Sequence, residues 1–340
     1  MNTLIAMSGG VDSSVAALVL KNKGYNVKGA IMHLLGEKNK DAYAAKAVAD
    51  KMEIPFYEFD YSDTFSKCVI DSFVKSYEEG ATPNPCIECN RHLKFGKFFD
   101  AAKELDCEYI ATGHYAIIEK CGNEYFIKKA KDKTKDQSYV LYSIRIELLP
   151  YILFPLGEYA KDEIRKIATD NGFINAGKKD SQDICFVPDG DYKKVISEKS
   201  DKSYPEGNFV TCDGVVLGKH KGIIGYTIGQ RKGLGLALPA PMYVCEKNVE
   251  KNEIVLCNHE ELFSKEMNVS DINWLVSDKT PDKIKAKVKI RYKQEEQSAE
   301  INFTESGAKV LFDEPQRAIS KGQAAVFYDG DVVLGGGTIV

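Results

Sequence analysis

The first two hundred residues alternate between short apolar runs and longer segments whose apolar side chains recur at helical spacing. Short apolar runs bounded by turns predict strands, and a period near 3.6 residues predicts helices. The predicted strands are 3–7, 27–35, 56–61 and 109–111, and the predicted helices are 15–24, 42–52, 65–77, 93–105 and a last one ending near 171. Strands that alternate with helices predict the α/β class, with a parallel sheet covered by helices on both faces.

The pattern changes after about residue 200. Glycine becomes frequent and long helical patterns disappear, which predicts a small β-rich domain over 201–262. Basic and apolar side chains then alternate strictly from Lys283 to Lys293, as in a half-buried strand. Several short strands joined by turns predict a small β-barrel over 263–340. We therefore predict three domains, the first of which spans 1–200.

Composition narrows the class of protein. The chain has 340 residues, 46 basic and 50 acidic, for a net charge of −4, so bulk charge does not predict non-specific nucleic-acid binding. The sequence has no apolar run as long as a membrane span and no signal peptide, which predicts a cytoplasmic protein without a membrane partner. Nine cysteines in a reducing compartment are expected to be free, metal-bound or catalytic.

A glycine-rich loop joins the first predicted strand to the first helix. It reads Ser8-Gly9-Gly10-Val11-Asp12-Ser13-Ser14. Glycines let the backbone pack around phosphate oxygens, and a helix N-terminus offers free N–H groups. Asp12 either holds Mg²⁺ or orients the loop. Thr112-Gly113-His114 follows a second strand end, so we expect both segments to line one crevice.

The loop resembles the pyrophosphate loop (PP-loop) of the ATP-pyrophosphatases, which cleave ATP between its α and β phosphates and adenylate an oxygen of the acceptor. Further segments resemble, in the same order, signatures of the tRNA-specific 2-thiouridylase family. These segments are 82–85 with 89–90, 112–116, 135–139, 179–186 and 225–235. The resemblance implies a nucleotide-binding domain of the adenine nucleotide α-hydrolase type, then a small central domain and a C-terminal β-barrel.

The resemblance also implies an activity. Such enzymes use ATP and Mg²⁺ to adenylate O2 of the wobble uridine, U34, in the tRNAs for Glu, Gln and Lys, and sulfur then displaces AMP to leave 2-thiouridine. A cysteine desulfurase, a sulfur-relay protein or free sulfide supplies the sulfur. Adenylation suits the chemistry because it turns the oxygen of an unreactive carbonyl into a leaving group for a thiolate-type nucleophile. The base must also leave the anticodon stack.

Family positions map onto individual residues. The implied ATP site comprises Ala6, Met7, Ser8, Gly9, Gly10, Val11, Asp12, Ser13, Met32 and Gly113. The implied target-base site comprises Asn84, Pro85 and Cys86, and the implied tRNA contacts are His114, Lys135, Asp136, Gln137, Arg291, Tyr292 and Gln323. The implied catalytic cysteines are Cys89 and Cys185.

Two basic runs lie at or beside the implied tRNA contacts. Residues 281–293 carry six basic side chains and one acidic side chain, and residues 128–136 carry five lysines and two aspartates. An isolated run of this kind is usually a solvated face. Beside positions where the family touches tRNA, we predict that both runs contact phosphates.

The chain departs from the family at Cys86, where the familiar motif has aspartate. Three interpretations stay open. In the first, Cys185 carries a persulfide that Cys89 resolves, leaving a Cys89–Cys185 disulfide, and Cys86 is incidental or a shuttle. In the second, Cys86, Cys89 and Cys185 hold a [4Fe–4S] cluster whose fourth iron is open to bind sulfide. In the third, the cysteines bind structural zinc with a fourth ligand such as His92.

Two other functions compete with the sulfurtransferase. An ATP-pyrophosphatase ligase acting on a small molecule would leave the two catalytic cysteines and the basic strand unexplained. A non-catalytic tRNA-binding protein would need neither the glycine loop nor Cys89 and Cys185.

Overall fold

The computed structural model describes residues 1–36, 40–180, 183–187, 189–277 and 279–340. Its strands are β1 (Asn2–Ala6), β2 (Asn26–His33), β3 (Phe56–Asp60), β4 (Tyr109–Ala111), β5 (Ala116–Cys121), β6 (Glu124–Lys129), β7 (Ile152–Leu153), β8 (Gly207–Thr211), β9 (Val216–His220), β10 (Tyr243–Asn248), β11 (Glu253–Cys257), β12 (Phe263–Trp274), β13 (Lys283–Lys289), β14 (Gln297–Thr304), β15 (Gly307–Arg317), β16 (Ala324–Asp329) and β17 (Val332–Ile339). Its α-helices are α1 (Val11–Asn22), α2 (Lys40–Lys51), α3 (Ser62–Phe65), α4 (Asp71–Glu78), α5 (Pro85–Cys89), α6 (Phe98–Glu104), α7 (Lys161–Asp170) and α8 (Tyr192–Lys199).

The N-terminal sheet is parallel and has the strand order β3-β2-β1-β4-β7. The chain moves to one side of β1 to form β2 and β3, and β4 and β7 lie on the other side. The carboxyl ends of β1 and β4 therefore flank a topological switch point, where ligands of open α/β sheets bind. The glycine loop follows β1 and residues 112–114 follow β4, so both segments lie at this crevice, as predicted.

Two helical stretches are longer than their apolar spacing predicts. A π-helical segment, Ser66–Ile70, joins α3 to α4, and a second one, Asn90–Lys97, joins α5 to α6. The second stretch thus begins at Pro85 and not near residue 93, and it places Cys86 and Cys89 in its first turns. The earlier start has a local cause. Pro85 occupies the first turn, where its missing N–H costs nothing, and the Asn84 side chain accepts a hydrogen bond from the N–H of Cys86 at 3.2 Å.

The second half of the chain is β-structure. The central sheet has the order β10-β11-β8-β9. The C-terminal strands run β12-β15-β14-β13-β16-β17, and pairing of β17 with β12 closes an antiparallel barrel. The predicted fold class is therefore confirmed. The alternating strand is shorter than predicted: β13 ends at Lys289, and the chain turns over 291–294.

A hairpin of the first predicted domain belongs to the barrel sheet. Strands β5 and β6 pair with each other, and Lys128 of β6 pairs with Val332 of β17. The side chain of Lys129 donates to Glu296 and, at 2.9 Å, to the carbonyl oxygen of Gly330. These contacts fix the barrel against the nucleotide-binding domain. The boundaries at residues 200 and 262 remain predictions.

One apolar cluster packs on the parallel sheet, one on the central sheet and one in the barrel, and a fourth joins residues of the parallel sheet to residues of the barrel. Cys89 packs in the central cluster with Phe65 and Phe186, which neighbours Cys185. Across the part of the chain that the structure describes, no helix combines the length and the apolar character that a membrane crossing requires.

Candidate active site

The loops after β1 and β4 touch each other. A Cβ atom on Gly113 would lie 2.9 Å from the backbone nitrogen of Ser13, so a larger residue would push the two loops apart. Helix α1 begins at Val11, and its N-cap Gly10 provides no side-chain hydrogen bond. The N–H groups of the first turn of α1 are thus uncapped by a side chain, which suits an anion such as phosphate.

Hydroxyl groups hold the glycine loop in shape. The N–H of Ser8 donates to Oγ of Ser13 at 3.1 Å, and Oγ of Ser14 donates to the carbonyl oxygen of Gly10 at 3.0 Å. The buried Asn175 donates from Nδ2 to the carbonyl oxygen of Gly9 at 3.1 Å and to Oγ of Ser14 at 2.9 Å. The loop is therefore pre-organised before any ligand binds.

Gly9 packs closely against helix α2. Its φ is +71°, in the region that favours glycine, and a Cβ would lie 2.3 Å from the carbonyl oxygen of Asp41 in α2. All the predicted ATP-site residues except Gly9 line the crevice.

The carboxylate of Asp12 is held by two neighbours. Nζ of Lys161 lies 2.7 Å from Oδ1 and 2.8 Å from Oδ2, and the hydroxyl of Tyr115 donates to Oδ1 at 2.8 Å. Of the two roles expected for Asp12, these bonds favour orienting the loop.

The crevice opens into a cleft of about 1560 Å³ between the nucleotide-binding domain and the barrel. Its described lining includes the glycine loop, Gly113, His114 and Cys185. Lysines come from both sides of the cleft: Lys94, Lys129, Lys133, Lys135, Lys178, Lys179, Lys287, Lys289 and Lys293. The described lining also includes seven carboxylates, and Lys129, Lys133, Lys135 and Lys178 form ion pairs with four of them. Lysines remain in excess over carboxylates, and such a cleft, ending at a phosphate-type loop, can take a polyanion.

His114 is buried and neutral. Burial, and then the charge of Lys94, lower the pKa of its imidazole well below the ordinary value. Its Nδ1 lies 2.7 Å from Oγ1 of Thr112 and its Nε2 lies 3.4 Å from Nζ of Lys94. A lysine ammonium only donates, so Nε2 accepts and the Nδ1 proton points to Thr112. His114 thereby aims Lys94 into the cleft.

The three motif cysteines lie near one another without bonding. All three are free thiols; Cys86 and Cys185 are exposed and Cys89 is buried. Cys185 lines the cleft, whereas Cys86 and Cys89 are absent from its described lining. The Cys185 side chain is open to solvent, yet the surrounding walls remove much of its hydration. This loss, followed by the charges of Cys89 and Cys86, raises the pKa of its thiol to about 11.

Lys94 acts on the same thiols in the opposite direction. Burial is the largest influence on Cys89 and raises the pKa of its thiol, while the Lys94 ammonium lowers it. The Lys94 charge also lowers the pKa of the Cys185 thiol. Lys94 is thus a cation close to both thiols.

The cysteines do not present a ready metal site. Among the described residues, no three His, Cys, Asp or Glu side chains converge closely enough to hold one metal ion. His92, the expected fourth zinc ligand, instead lies 3.2 Å from Glu88. In this arrangement the three thiols do not fit a single zinc ion, whereas a [4Fe–4S] cluster, in which each cysteine binds a different iron, does not require them to converge on one ion.

Several residues that the resemblance assigns to tRNA have partners within the protein. Arg291 donates to the carbonyl oxygen of Ala318 at 2.7 Å, and Gln323 donates to that of Thr82 at 2.7 Å, beside the Asn84-Pro85-Cys86 segment. Asp136 accepts from Oγ of Ser138 at 2.7 Å, and Oε1 of Gln137 accepts from the N–H of Tyr115 at 2.9 Å.

Tyr292 and Lys135 line the cleft. The hydroxyl of Tyr292 donates to the carbonyl oxygen of Asp136 at 3.1 Å, and the nearby charge of Cys86 contributes to the raised pKa of that hydroxyl, after burial and Asp136. Lys135 pairs with Asp180 at 2.9 Å. Within the 179–186 segment, Ser181 and Gln182 lie outside the described residues.

Four residues that contact the functional loops are not among the predicted site residues. Lys94, Tyr115, Lys161 and Asn175 all contact the functional loops through single side chains. Tyr115 lies within the recognised segment 112–116 and Lys94 lies four residues after Asn90, so the motifs offered a signal for both. Lys161 is at the start of a helix and Asn175 is in a loop. Lysine and asparagine are ordinary surface residues at such positions, so neither gives a signal.

Three family models match the chain in succession. They are the tRNA methyl transferase HUP domain over residues 1–189, the tRNA methyl transferase PRC-barrel domain over 193–258 and the aminomethyltransferase beta-barrel domain over 264–339. Among solved structures, a 4-thiouridine synthetase–RNA complex with bound ATP has 13% identity and a TM-score of 0.36 over 58% of this chain and 50% of its own, too low a similarity to bear on function.

Curated relatives match over nearly the whole length. The tRNA-specific 2-thiouridylase MnmA of Clostridium botulinum (strain Alaska E43 / Type E3) is 46% identical over 99% of this chain and 97% of its own. The tRNA-specific 2-thiouridylase MnmA 2 of Clostridium tetani is 48% identical over 99% of this chain and 98% of its own. The family expected from the motifs is confirmed: the chain belongs to the tRNA-specific 2-thiouridylases.

Proposed function

We propose that the protein is an ATP-dependent tRNA uridine 2-sulfurtransferase that makes 2-thiouridine at the wobble position. The observation that carries the proposal is one cleft that brings together a pre-organised phosphate loop, a cysteine and lysines from two domains. A small-molecule ligase would not need the lysines of the barrel, and a binding protein would need neither the loop nor the thiol. Membership in the tRNA-specific 2-thiouridylase family further supports the tRNAs for Glu, Gln and Lys as substrates, and a cytoplasmic location.

The ATP site lies at the glycine loop. We assign the triphosphate to the N-terminus of α1, with Ser8, Gly10 and Ser13 as donors and Met32 beside the adenine. The uridine O2 attacks the α-phosphate, the bond to the β-phosphate breaks, and pyrophosphate leaves. We assign Mg²⁺ to the phosphate oxygens of ATP, since Lys161 and Tyr115 already bind Asp12.

The sulfur step uses Cys185 and Cys89. A sulfur donor loads Cys185 as a persulfide, whose terminal sulfur attacks C2 of the adenylated base and expels AMP. The Cys89 thiolate then attacks Sγ of Cys185, which forms a Cys89–Cys185 disulfide and leaves the transferred sulfur on the base. The sulfane sulfur is reduced as the two thiols are oxidised, and an external thiol restores the enzyme. Loss of hydration raises the pKa values of both thiols and the Lys94 charge lowers them, so Lys94 stabilises the thiolates that the step requires.

Reconstitution tests this function. Purified protein, Mg²⁺–ATP, a persulfide donor and unmodified tRNA(Glu) should yield 2-thiouridine and one AMP per thiolated base by nucleoside mass spectrometry. Cys185→Ser should form the adenylated base and no 2-thiouridine. Formation of 2-thiouridine by Cys185→Ser would refute the sulfur assignment.

The sulfur carrier is tested separately. The protein is purified anaerobically, and its iron and acid-labile sulfide are measured beside its activity. Full activity with a persulfide donor and no iron supports the persulfide route. Activity with free sulfide that depends on bound iron, and is lost in Cys86→Ser, would instead assign the sulfur to a cluster.

A further inference from the structure

We propose that Lys161 is a positioning residue that couples the ATP loop to the loop that carries Cys185. The inference rests on the proposed function, because that function gives the two loops their roles in adenylation and sulfur delivery. Lys161 itself is absent from the described lining of the cleft, so it acts through the groups that it holds.

The Lys161 side chain is buried and forms ion pairs with two carboxylates. It is 9% exposed, and its Nζ lies 2.7 Å from Oδ1 of Asp12 and 2.8 Å from Oδ1 of Asp180. A buried ammonium is costly unless it is paired, and the partly exposed carboxylates of Asp12 and Asp180 supply that pairing. The position of each aspartate is therefore tied to the same cation.

The two aspartates belong to different functional segments. Asp12 belongs to the glycine loop and lies in the first turn of α1. Asp180 precedes Cys185 by five residues in the same segment. Helices α1 and α7 pack against each other, and Lys161 is the first residue of α7. Lys161 thus joins, through one ammonium group, the loop assigned to ATP and the loop assigned to sulfur.

A neighbouring side chain, Arg165, provides a control that removes one bond to Asp180 without removing Lys161. Asp180 also receives hydrogen bonds from Lys135 and from Arg165, each at 2.9 Å. Arg165 is more exposed, at 37%, and its bonds go to Asp180 and to the carbonyl oxygen of Lys178. Arg165→Gln therefore removes a bond to Asp180 and leaves the Asp12–Lys161–Asp180 connection in place.

Loss of the ammonium has three consequences. The Asp12 carboxylate would stand uncompensated beside the triphosphate site, and like-charge repulsion would weaken ATP binding. Asp180 would lose its buried partner, so residues 183–187 would open more often. Seating of ATP on α1 would also cease to affect that segment, because the connection from Asp12 to Asp180 would be broken.

The test measures both loops in the full chain without tRNA. The ligand is Mg²⁺ with α,β-methylene-ATP, and the readouts are its Kd and the backbone hydrogen exchange of residues 183–187. We expect Lys161→Met to raise the Kd about tenfold, to speed exchange, and to abolish the slowing of exchange that saturating ligand causes in the wild type. Lys161→Arg should restore the slowing, and Arg165→Gln should behave like the wild type.

The same measurements can also contradict the proposed coupling. Ligand-induced slowing that persists in Lys161→Met at saturation, or that is lost equally in Arg165→Gln, would overturn the coupling. If Lys161→Met does not fold, Lys161→Gln replaces it, since one amide donates to one carboxylate at a time. A wild-type protein that shows the coupling but makes no 2-thiouridine would refute the proposed function alone.

Discussion

At the scale of single residues, close contact between two loops defines the phosphate site. Gly113 approaches the backbone of Ser13 so closely that even a methyl group meets the nitrogen at 2.9 Å. The neighbouring backbone belongs to α1 and cannot move without disturbing the donors of the helix N-terminus. The size of the side chain at position 113 should therefore control the affinity for ATP.

Gly113→Ala tests this contact. We expect ATP affinity to fall by about tenfold or more and the free energy of unfolding to fall by about 1–3 kcal/mol, since overpacking forces backbone shifts. Gly177→Ala is the matched control, because a Cβ there meets nothing within 4 Å. Equal ATP affinity in the two variants, measured by equilibrium dialysis, would contradict the close-contact argument.

The Cys185 thiol should react slowly at neutral pH in the ligand-free protein. Its pKa is raised to about 11, so the neutral thiol dominates below that pH. The rate of alkylation by iodoacetamide, followed by peptide mass spectrometry, should keep rising about tenfold per pH unit beyond pH 9. Lys94→Met should slow it further, because the cation that stabilises the thiolate is gone. A plateau by pH 9 would show that the cleft does not raise this pKa.

Sequence motifs identified the residues at the site better than they identified what those residues contact. The glycine loop and Gly113 were expected in one crevice and lie there. Arg291 and Gln323, assigned to tRNA by resemblance, form hydrogen bonds within the protein, and a motif cannot distinguish such bonds from RNA contacts. Lys161 carries no motif signal, because its role depends on Asp12 and Asp180, which are distant in sequence.

At the scale of elements, the stretch from α5 to α6 positions Cys86 and Cys89. Apolar spacing predicted its second half, whereas its first turns carry polar and cysteine side chains and lack that spacing. Its true start is marked by Asn84 and Pro85, a cap and a first-turn proline. Capping chemistry was thus a better guide to this helix start than periodicity.

Asn84→Ala should lower the free energy of unfolding by about 1 kcal/mol, because the N–H of Cys86 loses its side-chain acceptor. Asn84→Asp keeps an acceptor at the cap and should lie close to the wild type. Urea denaturation monitored by circular dichroism measures both. Indistinguishable stabilities for Asn84→Ala and the wild type would show that the cap does not anchor the helix.

At the scale of the whole molecule, the cleft requires the barrel. Local patterns predicted strands and a barrel, but they did not predict that β6 pairs with β17 or that Lys287 and Lys293 line the same cleft as the glycine loop. Pairings between residues 128 and 332 depend on tertiary contacts that no local pattern contains. The net charge of −4 gives no indication that the fold brings lysines together in the cleft.

Binding of tRNA should therefore weaken steeply with salt. Lys287→Gln and Lys293→Gln should each lower the slope of log Kd against log salt concentration by about 1, as expected when one phosphate contact is lost. Lys309→Gln removes an exposed lysine outside the described lining of the cleft and should leave the slope unchanged. Filter binding over a salt series measures the slopes, and equal slopes in all three variants would place the tRNA elsewhere.

The central claim is that this chain installs sulfur at C2 of the wobble uridine. The most direct measurement is nucleoside mass spectrometry of tRNA from cells that lack the gene and carry no second copy. We predict that 2-thiouridine disappears, returns with the wild-type chain and does not return with Cys185→Ser. Unchanged 2-thiouridine in the deletion strain would contradict the claim.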